Sequence, residues 1–324
     1  MRSGKFAREQ RHGSQHTAGP PGILGGLRSA GGQSTIMLAI LLPSLVGAMA
    51  LGIDISVFYF NWAKLQRAAD ACALAGAAYL PGNTTLATST ANDFASRNSI
   101  ADSEMVSTVI APDQKSITVQ YSRIVPYYFA RVLGLSSGQV AARATAAIQI
   151  AGGARGIVPV GVQYNTTYSY GQQLTLLQGV GPGNWSSLAL GGTGASNYRT
   201  NLEYGYQGLV SVGDMVATET GVMAGPNKQG FDARIAAGLS QFPSGTFSDH
   251  SLSDPRAVVV PMVDFGGIAG SSQVPVQGFA VLWVSSVSSN GRDITASFIE
   301  QTVPGSEPGT SSSNFGAYRA VLTD

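Results

Sequence analysis

The hydrophobic positions of this chain change their period as it proceeds. Between Ile36 and Ile53 they run almost unbroken and free of charge, and after Asp54 they resume as Val57–Phe60. A membrane-spanning helix needs roughly 20 consecutive apolar residues, so 36–60 is predicted to be a single transmembrane anchor. From Phe58 onward, apolar or small residues recur at Trp62, Leu65, Ala69, Cys72, Gly76 and Tyr79. Intervals of three and four define one face of a helix. No strong breaker intervenes before Pro81, so the spanning helix is predicted to continue as a stalk. Its facing residues are mostly small, Ala68, Ala69, Ala73, Ala75, Gly76 and Ala77, which let a sheet or a second helix approach closely. Packing within the chain and self-association both remain open for it.

Beyond Pro81 the period shortens towards two. Residues 84–98 read as a short helix with Leu86 and Phe94 inward. Met105–Ala111 and Ser116–Arg123 read as a hairpin, because Ile117, Val119 and Tyr121 alternate with Ser116, Thr118 and Gln120. Pro126–Leu133 is predicted to be a short helix, and Val140–Ile150 alternates again. Together 61–151 should form a pilin-like unit, with the stalk helix lying on a small antiparallel sheet. Ala151–Gly156 reads as a linker. Past it, 152–324 offers short apolar runs at Gly156–Val162, Gln172–Gln178, Gly208–Val212, Ala257–Val263, Val274–Val287 and Ile294–Ile299. Only Phe231–Leu239 reads well as a helix there, and Gly316–Leu322 could close the sheet as an edge strand. The expected class is therefore α+β, ending in an all-β domain of sandwich or barrel type.

Composition supports export and narrows the partners. Charged residues are 11% of the chain, against about 25% in ordinary soluble domains, and glycine is abundant. A net charge of +1 gives no electrostatic case for nucleic-acid binding. The distribution of charge is more telling. Residues 1–35 hold Arg2, Lys5, Arg8, Arg11 and Arg28 against Glu9 alone, whereas from Asn61 on acids outnumber bases. Basic residues before a span mark its cytoplasmic side. The N terminus is expected in the cytoplasm as a disordered tail, with the C-terminal part outside the cytoplasmic membrane. A cleaved signal peptide ending at Ala48-Met49-Ala50 is the rival reading, but apolar character continuing to Phe60 favours retention.

Reactive side chains are sparse. Cys72 is the lone cysteine, and only His250 of three histidines lies beyond the tail. That leaves no zinc-type ligand set and no support for a nucleophile–base pair. Asp214 and Glu219 are spaced as turn residues rather than as an acid–base pair. The reading is of a protein that is not an enzyme, with no cofactor and no metal. Candidate contact residues fall in two groups. Asp54, Leu65, Ala69, Asp70, Cys72 and Gly76 line the helix as possible helix-interaction positions. Trp185, in the Pro182–Gly192 block, and Tyr204 and Tyr206 are candidate surface-binding aromatics.

Three blocks carry a family resemblance: Gly32-Gln33-Ser34 before Leu42-Pro43, then Gly52-Ile53-Asp54, then Leu65-Gln66-Arg67-Ala68-Ala69-Asp70-Ala71-Cys72-Ala73-Leu74-Ala75-Gly76-Ala77. Over about 31–80, and more weakly to 150, the chain resembles the TadE/TadG-like proteins of Flp-type (tight-adherence) pilus assembly. The resemblance implies a bacterial, single-pass envelope protein whose partners are other pilus or secretion assembly proteins. Gly32 is followed by Gln33 and Ser34 without the glutamate of TadE-type pseudopilins, so processing to a pseudopilin is not implied. The Asp-x-Ser-x-Ser metal site of some longer TadG-type relatives is also missing. The function expected is structural or assembly work by protein contacts, with an anchored adhesin or glycan receptor as the alternative.

Overall fold

The computed structural model describes residues 31–323, apart from 166–167, 180–183, 220, 222, 267–271 and 310–312. Most of the basic tail therefore lies outside the described residues. The chain divides into two compact units, one ending at Gly52 and the other covering Ile53–Asp324. Helix α1 (Gly31–Ala77) contains Pro43 and is long and apolar enough to cross a membrane. Its most apolar window has none of its residues buried. Among the described residues this is the one helix that meets that test.

In the Ile53–Asp324 unit, the second half of α1 behaves as an amphipathic helix. Leu65, Ala68, Ala69, Cys72, Ala73 and Ala77 are buried in one core. Helix α2 (Thr84–Arg97) starts where the Asn83 side chain accepts from the Leu86 amide at 2.8 Å, which satisfies one of the unpaired donors at a helix start. Its Ala87, Ala91 and Ala95 recur every four residues and are fully buried. Gly76 explains the close fit of the two helices. A Cβ placed there would lie 2.9 Å from the Ala87 carbonyl oxygen and 2.8 Å from Ile117 Cδ1.

The strands follow in chain order: β1 (Met105–Ile110), β2 (Ser116–Pro126), β3 (Ser137–Ala154), β4 (Val160–Gln163), β5 (Gln173–Gln178), β6 (Asn184–Ala189), β7 (Val210–Ser211), β8 (Met215–Thr218), β9 (Ala257–Val263), β10 (Gln273–Val287), β11 (Ile294–Ile299), β12 (Gln301–Thr302), β13 (Glu307–Pro308) and β14 (Ala317–Thr323). Two further helices, α3 (Ala195–Tyr204) and α4 (Ala224–Gln241), interrupt them.

One sheet has the order β1-β2-β3-β14-β12, antiparallel except for the last pair. Alternation places Ile117, Val119 and Tyr121 of β2 beside Ala142, Ala144 and Ala146 of β3 in the core under α1. The alanines leave room for the helix, and the larger β2 side chains fill the rest. The second sheet closes on itself. β5 pairs with β6, β6 with β4, β4 with β9, β9 with β10, β10 with β11, and β11 again with β5. This is the barrel alternative of the expected β domain, and closure removes most of its free edges.

Three elements differ from the sequence reading. The predicted linker at Ala151–Gly156 is in large part the continuation of β3, whose Ala151–Ala154 are buried. Glycine serves packing rather than flexibility there, since a Cβ on Gly152 would collide with the backbone of Pro308 and Gly309. The strand expected to close the C-terminal sheet, β14, joins β3 in the first sheet instead, with Tyr318 opposite Ile150. Finally, α4 begins seven residues before Phe231, through Gly225, Pro226 and Gly230. Proline is tolerated in a first helical turn, where amides lack intrahelical partners anyway. Gly230 sits under Leu202 of α3, 2.6 Å from its Cδ2 to a would-be Cβ, so the two helices meet where a side chain would not fit.

Candidate functional site

The six helix positions singled out from sequence are placed differently from one another. Leu65, Ala69 and Cys72 are fully buried in the core shared with β2 and β3. Gly76 lies against α2 and Ile117. Within this unit, then, the small-residue face is occupied by the chain's own sheet and second helix. Burial also pushes the Cys72 thiol above its ordinary pKa, which makes it a poor nucleophile. Asp70 remains partly accessible and accepts from Gln66 Nε2 at 2.8 Å, while the same Gln66 amide donates to the Arg143 carbonyl at 2.9 Å. That pair ties the helix to β3.

Asp54 is the exception. It stands one residue beyond the charge-free run, yet only 3% of its surface is exposed. Its Oδ1 accepts from the Tyr128 amide at 2.8 Å and its Oδ2 from the Ala130 amide at 2.7 Å. The Phe129 amide reaches both oxygens, at 3.3 and 3.1 Å. The Ala130 amide opens a short 3-10 turn, Ala130–Leu133, and the Tyr128 and Phe129 amides lie immediately before it. A carboxylate there is a charge-assisted acceptor in a favourable dipole. Phe58, one turn on, stacks on Tyr127 with ring centroids 4.8 Å apart. The loop after β2 is thereby fastened to α1 at two consecutive turns. Tyr128, Phe129, Val132, Leu133 and Leu135 of that loop stay exposed, Val132 by 90%.

The surface aromatics do not converge. Tyr204 is exposed and Tyr206 is half-buried against one barrel core. Trp185 lies on β6 opposite Val162, and its side chain lies outside the described part of the structure. The aromatic cleft that does form, of about 330 Å³, is lined by Tyr168, Tyr170, Phe298, Glu300, Asn314 and Phe315. Tyr168 stacks on Phe298 at 3.6 Å. Tyrosines 168 and 170 are legible as candidate aromatics in the sequence; their meeting with Phe298 depends on the closure of the barrel.

The buried charges elsewhere are accounted for by structure. Arg256 meets Asp254 through Nε–Oδ1 at 3.0 Å and Nη2–Oδ2 at 2.7 Å, donates to the Phe242 carbonyl, and lies 4.4 Å over the Trp283 ring. His250 Nε2 is 2.9 Å from Gln301 Oε1 and its ring packs on Trp283. Among the described residues no group of three or more His, Cys, Asp or Glu side chains converges to hold a metal. What the geometry offers is attachment: a long apolar helix, a loop clamped to it by a carboxylate, and a barrel with an aromatic cleft.

No curated protein and no solved structure matches the chain. A family match covers nearly all of α1 and the residue after it: residues 32–78 fit the family model described as "Putative Flp pilus-assembly TadE/G-like", so the TadE/G-like resemblance read from Gly32–Ala77 holds for this segment of the chain.

Proposed function

We propose that the protein is a membrane-anchored structural or assembly component of a Flp-type (Tad) pilus, or of a related envelope secretion apparatus, acting through protein–protein contacts. The observation that carries this reading is the coincidence of the family match at 32–78 with a helix long and apolar enough to span a bilayer. The basic tail before that helix supports an N terminus in the cytoplasm and a C-terminal unit outside it. The Asp254–Arg256 pair and His250 are held by contacts within the chain, to the Phe242 carbonyl, Trp283 and Gln301. An anchored receptor is the second reading, and the cleft of Tyr168, Tyr170 and Phe298 is the observation that favours it.

Cross-linking of the native protein in its own membranes, followed by purification and mass spectrometry, tests the proposal. Recovery of pilus secretion components, together with loss of pili on gene deletion, is the expected result. Unchanged piliation and no such components in the cross-linked material would overturn it. Retention in the membrane after alkaline carbonate washing is expected for an uncleaved anchor.

A further inference from the structure

We propose that the loop 127–135 is a second membrane contact: an apolar tip that enters the headgroup and outer acyl region of the bilayer beside α1. The inference rests on reading Ile36–Phe60 as a membrane span. Three observations carry it. The first is position. The Tyr128, Phe129 and Ala130 amides bond to Asp54, so the loop lies at the level of a residue inside the predicted span.

The second is the polarity of the surface. Tyr128, Phe129, Val132, Leu133 and Leu135 are 62, 44, 90, 71 and 53% exposed. Ile53, Ile55 and Tyr59, next to Asp54 and Phe58 in the helix, are exposed as well, so both the tip and the helix segment that holds it present apolar side chains to the surroundings. Soluble proteins seldom leave such side chains together in water. Aromatic residues are favoured at membrane interfaces, and the exposed Arg131 can extend its charge to lipid phosphates while its stem stays apolar.

The third is the backbone. At membrane depth irregular segments need internal partners for their amides. Here Tyr127 donates to Ser136, Val132 to Phe129, Gly134 to Arg131 and Leu135 to Ala130, and the Asp54 carboxylate takes the amides of Tyr128, Phe129 and Ala130. Seven amides of the loop thus bond within the chain while its apolar side chains face outward.

The full-length protein in phosphatidylcholine vesicles tests this, with single labels on Val132→Cys, Leu45→Cys and Asp113→Cys. Native Cys72 is buried, so the unsubstituted chain serves as the labelling blank. Asp113 lies in the turn between β1 and β2, at the end of β2 opposite Pro126. Acyl-chain-brominated lipid should quench the Val132 and Leu45 labels strongly and the Asp113 label weakly, and aqueous iodide should give the reverse order. Leu133→Cys provides a second position with the same expectation. A Val132 label quenched by iodide and not by brominated lipid would overturn the tip while leaving the span intact. Protection from both quenchers would overturn it in favour of a protein partner or a second copy. If the Leu45 label also escapes brominated lipid, the reading of α1 as a span fails first.

Discussion

Replacing Asp54 should release the loop from α1 without unfolding the unit that carries it. Two of its contacts are short and charge-assisted, to Tyr128 at 2.8 Å and Ala130 at 2.7 Å, and the Phe129 amide divides itself between the two oxygens at longer range. Taking about 1.5 kcal/mol net for each of the two good bonds, Asp54→Ala removes roughly 3 kcal/mol from the closed state of the loop. At 1.4 kcal/mol per factor of ten, the loop amides should then exchange roughly a hundredfold faster. Asp54→Asn keeps one acceptor oxygen and should fall about midway, near tenfold. The assay is amide hydrogen exchange on the full chain in lipid nanodiscs, comparing Ala130 with Val119. Val119 pairs with Ala144 in the centre of the sheet and should keep its protection. Unchanged exchange at Ala130 would refute the clamp. An equal loss at Val119 and Ala130 would refute it differently, by showing that Asp54 holds the whole unit and not the loop.

Other outcomes follow from single contacts. Gly76→Ala should destabilise by about 1 kcal/mol in thermal or denaturant unfolding, because overpacking against the Ala87 carbonyl costs more than the roughly 1 kcal/mol of helix propensity gained; a more stable variant would show that α2 shifts freely. Among the described residues the buried Tyr121 hydroxyl has no well-formed hydrogen bond and its polar neighbour is the weakly bonding Cys72 thiol, so Tyr121→Phe should leave stability unchanged or raise it by up to about 1 kcal/mol; a clear loss would show that the thiol contact stabilises the core. Arg123, at 2.6 and 2.9 Å, holds the Glu104 carboxyl below its ordinary pKa. The stabilisation is therefore present above the unfolded glutamate value of about 4.3 and is lost as pH falls through the depressed folded value. Wild type and Glu104→Gln should differ in unfolding free energy at pH 7 and converge in acid; a gap that persists in acid would contradict the ion pair as its source.

Periodicity carried the reading of this fold where a segment is buried on one side. Ile117, Val119 and Tyr121 alternate in sequence and are all buried, and the Leu65–Cys72 spacing marks a face that is indeed inward. It failed where contact decides conformation. Gly152 and Gly153 read as part of a linker, whereas Gly152 is required small by the crossing backbone of Pro308 and Gly309, which the sequence does not show. Helix α4 carries breaker residues whose cost is met by the first turn and by Leu202. The candidate site divides along the same line. Asp54 stands out as a carboxylate beside an apolar run, but its partners lie 74 to 76 positions away. Pro126–Leu133 reads as a short helix in the sequence, and only tertiary structure shows Tyr128, Phe129, Val132 and Leu133 turned outward.

Strand β14 also sets the order in which the molecule can be completed. Thr323 pairs opposite Thr145 and Tyr318 opposite Ile150, so the edge of β3 is covered by residues synthesised long after it. For a chain threaded across a membrane from its N-terminal side, that edge reaches the far compartment unpaired and waits there until Ala317–Thr323 has followed. An open strand edge is a template for the matching segment of another chain. On the topology proposed above, the interval between the two arrivals would leave that edge open to the β14 segment of a neighbouring copy until each copy recovers its own strand.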